Sequence, residues 1–211
     1  MPALRIAVTN QKGGTGKTTL ALNLAAGLHK RGSTLIMDAD PQASISQWVG
    51  INDKSALPMV RQIAHGDSAG QIAHAVQSHS YLVVDCPPAA HTSTVRDILD
   101  NVDIVLVPIQ PSPVDLWASI DIAEAVREAQ RRNPVMKAFL VLNQMDSRNA
   151  LTKSMHEALA ELEFPTLRAG LSRRAAYRSA AMEGTSVYGL GQRGGAAVQE
   201  VEAIIKELLQ I

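Results

Sequence analysis

A glycine-rich segment near the start of the chain constrains the fold most strongly. The segment reads QKGGTGKTT over residues 11–19, and it separates an apolar run at 4–10 from a helical pattern over 17–30. Glycines at this place leave backbone N–H groups open to an anion, because no side chain blocks the start of the helix. The segment therefore predicts a phosphate-binding loop between a strand and a helix.

The residue types in this loop predict how it would hold a nucleotide. The expected backbone cradle, with its continuation into the helix, consists of Gly13, Gly14, Thr15, Gly16 and Thr19. Lys17 is the expected cation for the β- and γ-phosphates, and the Thr18 hydroxyl is placed to ligate Mg²⁺. The usual pattern G-x-x-x-x-G-K-[ST] would put glycine at position 11, where this chain has Gln11.

A second lysine, Lys12, precedes the cradle. Residues 12–18 match K-G-G-x-G-K-[ST], and the sequence thereby resembles the ParA/MinD family of deviant Walker ATPases. The resemblance implies ATP as the nucleotide and a Lys12 that crosses a dimer interface to the partner's ATP. One lysine from each subunit would offset the repulsion between two facing triphosphates. We therefore expect a homodimer that ATP supports and ADP does not.

Carboxylates follow two of the apolar runs. Asp38 and Asp40 lie in the segment MDADPQ, and Asp85 ends the run YLVVD. The family resemblance assigns Asp40 to activation of the attacking water. Asp85 ends a Walker B-like strand and is expected to face Mg²⁺, usually through water, while Asp38 is expected to support the metal shell.

Two further segments resemble family positions beside the nucleotide. The prolines of VPIQPSPVDLW, residues 107–117, are expected to stiffen the exit from a strand. Pro111, Pro113 and Asp115 match a P-x-P-x-D segment that lies near the nucleotide and the dimer partner in the family. Asn143 matches a position that hydrogen-bonds adenine, and a turn cap at a strand end is the alternative for it.

Short β-branched runs alternate with helical patterns along the chain. The predicted strands are 4–10, 33–38, 81–85, 103–109, 137–143 and, more weakly, 166–170, and the predicted helices are 17–30, 115–132, 151–162 and 195–211. This alternation is typical of an α/β fold with a doubly wound, mostly parallel sheet and helices on both faces. We expect one P-loop ATPase domain over 1–211, with its ligand at the carboxyl ends of the strands.

The charge of the chain is balanced overall, with 20 basic and 20 acidic residues, but it is unevenly distributed. Residues 165–195 hold five arginines against the single acid Glu183. Such a basic segment predicts weak, sequence-independent binding to DNA phosphates, with a solvated surface as the alternative. The family resemblance also places nonspecific DNA in this region. The candidate DNA-binding residues are Arg168, Arg173, Arg174 and Arg178.

Composition argues against other classes of function. A single cysteine, Cys86, excludes an internal disulfide and the paired cysteines of related electron donors, and we expect it to be a small buried residue. The histidines show no metal-ligand spacing. A membrane-associated MinD-like role would need a cationic terminal helix, whereas residues 195–211 carry three glutamates against Lys206. An ATP-dependent metabolic enzyme of the same fold stays open.

The resemblance covers essentially the whole chain and is most specific at residues 12–18. Because no helix-turn-helix domain precedes the loop, it indicates a small ParA-type ATPase, which we expect to be cytoplasmic and nucleoid-associated, without a membrane partner. Its implied cycle is ATP-driven dimerisation, nonspecific DNA binding, and hydrolysis stimulated by a ParB-like or adaptor protein. The cargo would be a plasmid, a chromosome or a protein organelle such as a carboxysome, and the sequence does not choose among them.

Overall fold

The structure is a computed structural model that describes residues 2–63, 66–89, 91–146 and 165–211, with the backbone alone over 113–121. Six parallel strands form one sheet in the order β3-β2-β4-β1-β5-β6. The strands are β1 (Leu4–Val8), β2 (Thr34–Asp38), β3 (Met59–Gln62), β4 (Tyr81–Asp85), β5 (Ile104–Ile109) and β6 (Lys137–Leu142). The prediction of a doubly wound parallel sheet is confirmed.

Helices connect the strands and cover both faces of the sheet. In the described part they are α1 (Lys17–His29), α2 (Ser44–Gly50), α3 (Ser68–Ala75), α4 (Ser93–Asp100), α5 (Pro113–Arg132), α6 (Ala175–Met182) and α7 (Gly195–Leu208), with a 3₁₀ segment over Val187–Gly194. None of the described helices combines the length and apolar character that crossing a bilayer requires.

Alternation along the strands divides the interior into two cores. In β1, Ile6 and Val8 join the core beneath α1 and α7, whereas Ala7 joins the core on the opposite face. Successive side chains of a strand point to opposite faces, so a strand covered on both sides must be apolar at nearly every position. This requirement explains why the buried strands were recognisable from their continuous apolar sequence.

The structure differs from the predicted elements at the edge of the sheet. The predicted strand 166–170 is wrong, because only isolated bridges join Thr166 to Leu140 and Ser172 to Met145. The sixth strand is instead β3, which is mostly exposed and lacks an apolar run. It pairs with β2 through its backbone, and such pairing leaves little trace in the side chains. The predicted helix 151–162 lies outside the described residues.

Strand order brings the predicted site residues to one place. β1 lies between β4 and β5, so the chain leaves β1 towards one side of the sheet and later returns on the other. Val8 is in register with Asp85 of β4 and Leu106 of β5, and Asp38 is in register with Asp85. A reversal of strand order creates a crevice at the carboxyl ends, and the loop after β1 lies in it.

Candidate nucleotide site

The loop between β1 and α1 has the backbone geometry of a phosphate cradle. Gly14 and Gly16 have φ values of 77° and 92°, in the left-handed region that favours glycine. No heavy atom lies within 4 Å of a Cβ built on Gly13 or Gly14, so the space beside them is open. Gly16 caps α1 without a side-chain hydrogen bond, which leaves the first N–H groups of the helix available to an anion.

Side chains from the neighbouring strand ends hold this loop in place. Gln110 and Gln144 donate through Nε2 to the carbonyl oxygen of Gly14, at 2.8 and 3.2 Å. Asn143 donates through Nδ2 to the carbonyl oxygen of Thr15 at 2.6 Å. The two glutamines were not predicted, although a polar residue within two positions of the carboxyl end of a buried strand is a usable signal. Three amide side chains thus fix the loop before any ligand binds.

Lys17 and Thr18 lie at the start of α1, and their predicted roles towards the phosphates and Mg²⁺ stay predictions. Lys17 is 7% exposed, and its Nζ donates to the carbonyl oxygen of Lys12 at 3.1 Å. Burial lowers the pKa of Lys17, while the nearby Asp85 and Asp40 act to raise it. The Thr18 hydroxyl donates to Oδ2 of Asp85 at 2.8 Å. A buried cation and a hydroxyl–carboxylate pair therefore stand at the N-terminus of α1.

Asp85 fits a divalent cation in this position. Its side chain is 1% exposed, and Oδ1 has no hydrogen-bond partner among the described residues. Burial raises the pKa of Asp85 to about 7, with the hydrogen bond from Thr18 acting in the opposite direction. A carboxylate oxygen without a hydrogen-bond partner in the described part, next to a threonine hydroxyl, is a donor set that suits Mg²⁺, which binds few protein ligands and usually keeps several waters.

Asp38 is engaged differently from Asp85. Its Oδ1 accepts the backbone N–H of Asp40 at 3.2 Å, and its Oδ2 accepts the backbone N–H and the hydroxyl of Ser46 at 3.1 and 3.0 Å. These hydrogen bonds fix the start of α2 and the turn that carries Asp40. The predicted contribution of Asp38 to the metal shell stays a prediction. Its observed hydrogen bonds instead stabilise the turn that carries Asp40.

Lys12 lies in the loop before its glycines, and Asp40 lies in the turn after β2. Both side chains are half-buried, and the Lys12 backbone carbonyl accepts from Lys17 and, at 3.4 Å, from the Thr15 hydroxyl. Asp40 is close enough to Lys17 and Asp85 for its charge to act on both. Their predicted roles towards a partner's nucleotide and an attacking water stay predictions.

A cavity of about 290 Å³ adjoins the cradle on the side of Asn143. Its walls are formed by Gly16, Thr19, Asn143, Gln144, Ser172, Arg173, Arg174, Tyr177, Arg178 and Ala181. Asn143 therefore borders the space where a base could lie, but its Nδ2 already donates to the loop. Asn143 directly follows β6 and lines this cavity, and its predicted contact with adenine stays a prediction.

The proline segment is shorter as a loop than predicted. α5 begins at Pro113, so the irregular exit from β5 spans only residues 110–112, and Asp115 lies in the helix. Proline suits the first position of a helix, where its missing N–H has no intrahelical partner. Pro111 is half-buried in the remaining loop.

Cys86 is fully buried, as predicted, and burial raises the pKa of its thiol.

The predicted DNA-binding arginines border two different cavities, and their contact with DNA stays a prediction. Arg173, Arg174 and Arg178 line the cavity beside the loop, whereas Arg168 borders a separate groove with Lys206. Arg174 is ion-paired with Glu200 at 2.8 Å, and the neighbouring arginine of the basic segment, Arg193, is ion-paired with Glu183 at 2.8 Å. Acids that lie 26 and 10 residues away in sequence therefore reduce the local positive charge.

Gly16→Ala should both destabilise the protein and abolish nucleotide binding. A Cβ at this position would lie 2.0 Å from Asn143 Nδ2, and φ is 92°. We expect a loss of about 1–3 kcal/mol in the free energy of unfolding, measured by urea denaturation. Gly13→Ala is the matched control, because its Cβ meets no atom: it should keep the stability and lose only ligand affinity. Equal stability of the two variants would contradict the proposed packing.

Comparisons with known proteins agree with this geometry. The CbiA family, described as the CobQ/CobB/MinD/ParA nucleotide binding domain, matches residues 6–187. The chain belongs to this family of nucleotide-binding proteins.

Relatives of known name extend over nearly the full length of the chain. "Maintenance of carboxysome distribution protein A" of Halothiobacillus neapolitanus is 40% identical over 209 residues, which cover 98% of this chain and 97% of that protein. The protein of the same name from Gloeobacter kilaueensis is 31% identical over 201 residues, covering 94% and 88%. The solved structure of a Cyanothece McdA(D38A)–ATP complex has a TM-score of 0.74 at 17% identity and covers 99% of this chain and 97% of that chain.

Proposed function

We propose that this protein is an ATPase that dimerises with ATP, binds DNA without sequence preference and positions a cargo. The observation that carries the proposal is the 40% identity to a carboxysome distribution protein over 98% of this chain. It favours a carboxysome over a plasmid or a chromosome as the cargo. A small adaptor protein is the proposed partner that stimulates hydrolysis and release.

The proposed chemistry uses the site as it stands. Gly13 to Thr19 would hold the phosphates of ATP, Lys17 would neutralise the β- and γ-phosphates, and Thr18 with Asp85 would hold Mg²⁺. The metal ion, when bound, supplies charge that stabilises the developing negative charge on the phosphates. Asp40 would orient the water that attacks the γ-phosphorus as the bond to the bridging β–γ oxygen breaks, giving ADP and phosphate.

A membrane-associated role receives no support from α7. Its apolar residues Ala197, Val201, Ile204, Ile205 and Leu208 are buried against the body of the domain. Membrane binding by an amphipathic helix requires that its apolar face be free to enter the interface. In this structure that face is part of the core beneath the sheet.

DNA binding should depend on arginines that lack an ion pair. Within the described part, Arg173 and Arg178 are exposed and have no acidic partner, unlike Arg174. The variant Arg173→Ala/Arg178→Ala should lose DNA retention in Mg²⁺–ATP, and the slope of log K against log salt should fall by about 0.9 for each phosphate contact removed. Arg193→Ala, which removes an arginine paired with Glu183, is the control and should change retention little.

The same variants test cargo positioning in cells. A fluorescent fusion of the unsubstituted protein should coincide with the nucleoid and keep labelled carboxysomes spaced. The double arginine variant should be diffuse, with carboxysomes clumped. Spaced carboxysomes in cells without the protein would overturn the proposed cargo, and retention of the double variant on DNA would move the DNA surface elsewhere.

A further inference from the structure

The wall of the cavity beside the cradle is held by one acidic residue of α7. We propose that Glu200 is a positioning residue for the nucleoside half of the nucleotide. The preference of the protein for ATP over tripolyphosphate, which lacks the nucleoside, would then depend on α7. The proposal rests on the nucleotide site of the proposed function and not on dimerisation, DNA or cargo.

Glu200 gathers three donors from the segment that forms this wall. Its Oε1 accepts from Arg174 Nε at 2.8 Å, and its Oε2 accepts from the Tyr177 hydroxyl at 2.9 Å and from the Ser172 backbone N–H at 3.2 Å. All three donors line the cavity, whereas Glu200 does not. Only 14% of the Glu200 side chain is exposed. One carboxylate that does not itself line the cavity therefore holds three residues of the cavity wall in place.

The position of the cavity identifies the part of the nucleotide that it would take. The phosphate end of the site is fixed by the cradle and by Lys17, which is expected to reach the β- and γ-phosphates. Gly16 and Thr19 line the cavity, whereas Thr18 and its hydrogen-bond partner Asp85 do not. A nucleotide whose phosphates occupy the cradle must place its ribose and base on one side of it. The cavity borders the cradle there, and its volume of about 290 Å³ is near the lower end for ligand sites.

The chemistry of the wall suits a purine nucleoside. A guanidinium group is planar and stacks on aromatic rings, and a tyrosine side chain offers a rigid apolar face. Both benefits require that the side chains be fixed before binding, because ordering a long side chain costs about 0.5–1.5 kcal/mol of binding free energy. Burial is the main cause of a raised pKa at Tyr177, and the negative charge of Glu200 raises this pKa further. The hydroxyl therefore keeps its proton and donates it to Glu200 in a hydrogen bond.

The same helix offers a matched control. Glu207 lies two turns further along α7 and accepts the backbone N–H groups of Arg168 and Ala169 at 3.0 and 3.1 Å. It ties the same chain segment to α7, but none of these residues lines the cavity. A purely structural contribution should therefore be shared by Glu200 and Glu207, whereas an effect on the nucleoside should belong to Glu200 alone.

The test compares ATP with inorganic tripolyphosphate, each with Mg²⁺, by titration calorimetry on the full chain. Tripolyphosphate occupies the cradle without a nucleoside. Glu200→Gln should weaken ATP binding about tenfold or more, as expected for losing a charged hydrogen bond that orders the wall. Its affinity for tripolyphosphate should stay within about twofold of the unsubstituted chain. Glu207→Gln should leave both affinities unchanged. Should Glu200→Gln fail to fold, Tyr177→Phe removes one of its hydrogen bonds while keeping the ring and should selectively weaken ATP binding.

Each other outcome overturns the inference in a distinct way. Equal weakening of ATP and tripolyphosphate would make Glu200 a general structural residue. Equal affinity of the unsubstituted chain for both ligands would mean that the cavity does not take the nucleoside. If the unsubstituted chain bound neither ligand, the nucleotide site and with it the proposed function would fail, whereas the first two outcomes leave that function intact.

Discussion

Lys12→Ala is expected to leave the protein monomeric with Mg²⁺ and a slowly cleaved ATP analogue, under conditions in which the unsubstituted chain dimerises. The nucleotide site of one subunit already contains a buried cation, Lys17, next to the helix N-terminus. Lys12 precedes the glycines of the loop and is half-buried. Facing triphosphates repel strongly where water is excluded, so removing one cation from each subunit should remove the dimer.

The measurement is the molar mass in solution by light scattering after size exclusion, with nucleotide affinity measured separately. Lys12→Ala should retain much of its nucleotide affinity, because the cradle, Lys17 and Thr18 are intact. Lys54→Ala removes an exposed lysine of the loop after α2 and is the charge-matched control, which should dimerise normally. A Lys12→Ala protein that still dimerises with the ATP analogue would refute the contribution of this lysine across an interface.

Asp85→Asn is expected to remove the dependence of ATP binding on Mg²⁺ while stabilising the ligand-free protein. The carboxylate is buried, and one of its oxygens has no hydrogen-bond partner among the described residues. An amide keeps the shape of the side chain, can still accept from Thr18 through its oxygen, and carries no buried charge. Titration of ATP with and without Mg²⁺ measures the first effect, and thermal unfolding without nucleotide measures the second.

The stabilisation should depend on pH in a defined direction. The pKa of Asp85 is about 7 in the folded protein, against an ordinary value of 3.8. Between these values the folded chain holds a proton that the unfolded chain has lost, so this group lowers the stability as the pH rises through that window. Its cost is nearly complete near pH 7 and reaches its full size about one pH unit higher, where the folded carboxyl is ionised as well.

Asp85→Asn should therefore be more stable than the unsubstituted chain at pH 8, and its advantage should shrink as the pH falls towards 4. Asp103→Asn is the control. Asp103 lies at the amino ends of the strands, opposite to the nucleotide site, and is ion-paired with Arg5 at 2.5 Å. This substitution should lower the stability modestly and leave the Mg²⁺ effect unchanged. A stability difference for Asp85→Asn that is the same at every pH would contradict a buried carboxylate with a raised pKa.

Predictability differed sharply between the centre and the edge of the sheet. β5 is buried at every position, and its continuous apolar sequence was sufficient to predict it as a strand. β3 is largely exposed and short, and it was missed because only pairing with β2 makes it a strand. α4 was also missed, although Thr92 caps it through a hydrogen bond to the Val95 N–H at 3.3 Å, a signal that the sequence contains.

The sequence by itself determined the phosphate loop, the doubly wound parallel sheet and the family, because these depend on residues adjacent in the chain. A loop that needs glycines, a lysine and a threonine in consecutive positions is local, and so is the apolar character of a buried strand. Only the tertiary structure showed which arginines of the basic segment are already paired with an acidic side chain. Glu200 is 26 residues from Arg174, yet it withdraws that arginine from the basic segment, and Gln110 reaches Gly14 across 96 residues. Such contacts arise where strands and helices meet, and no pattern of neighbouring residues records them.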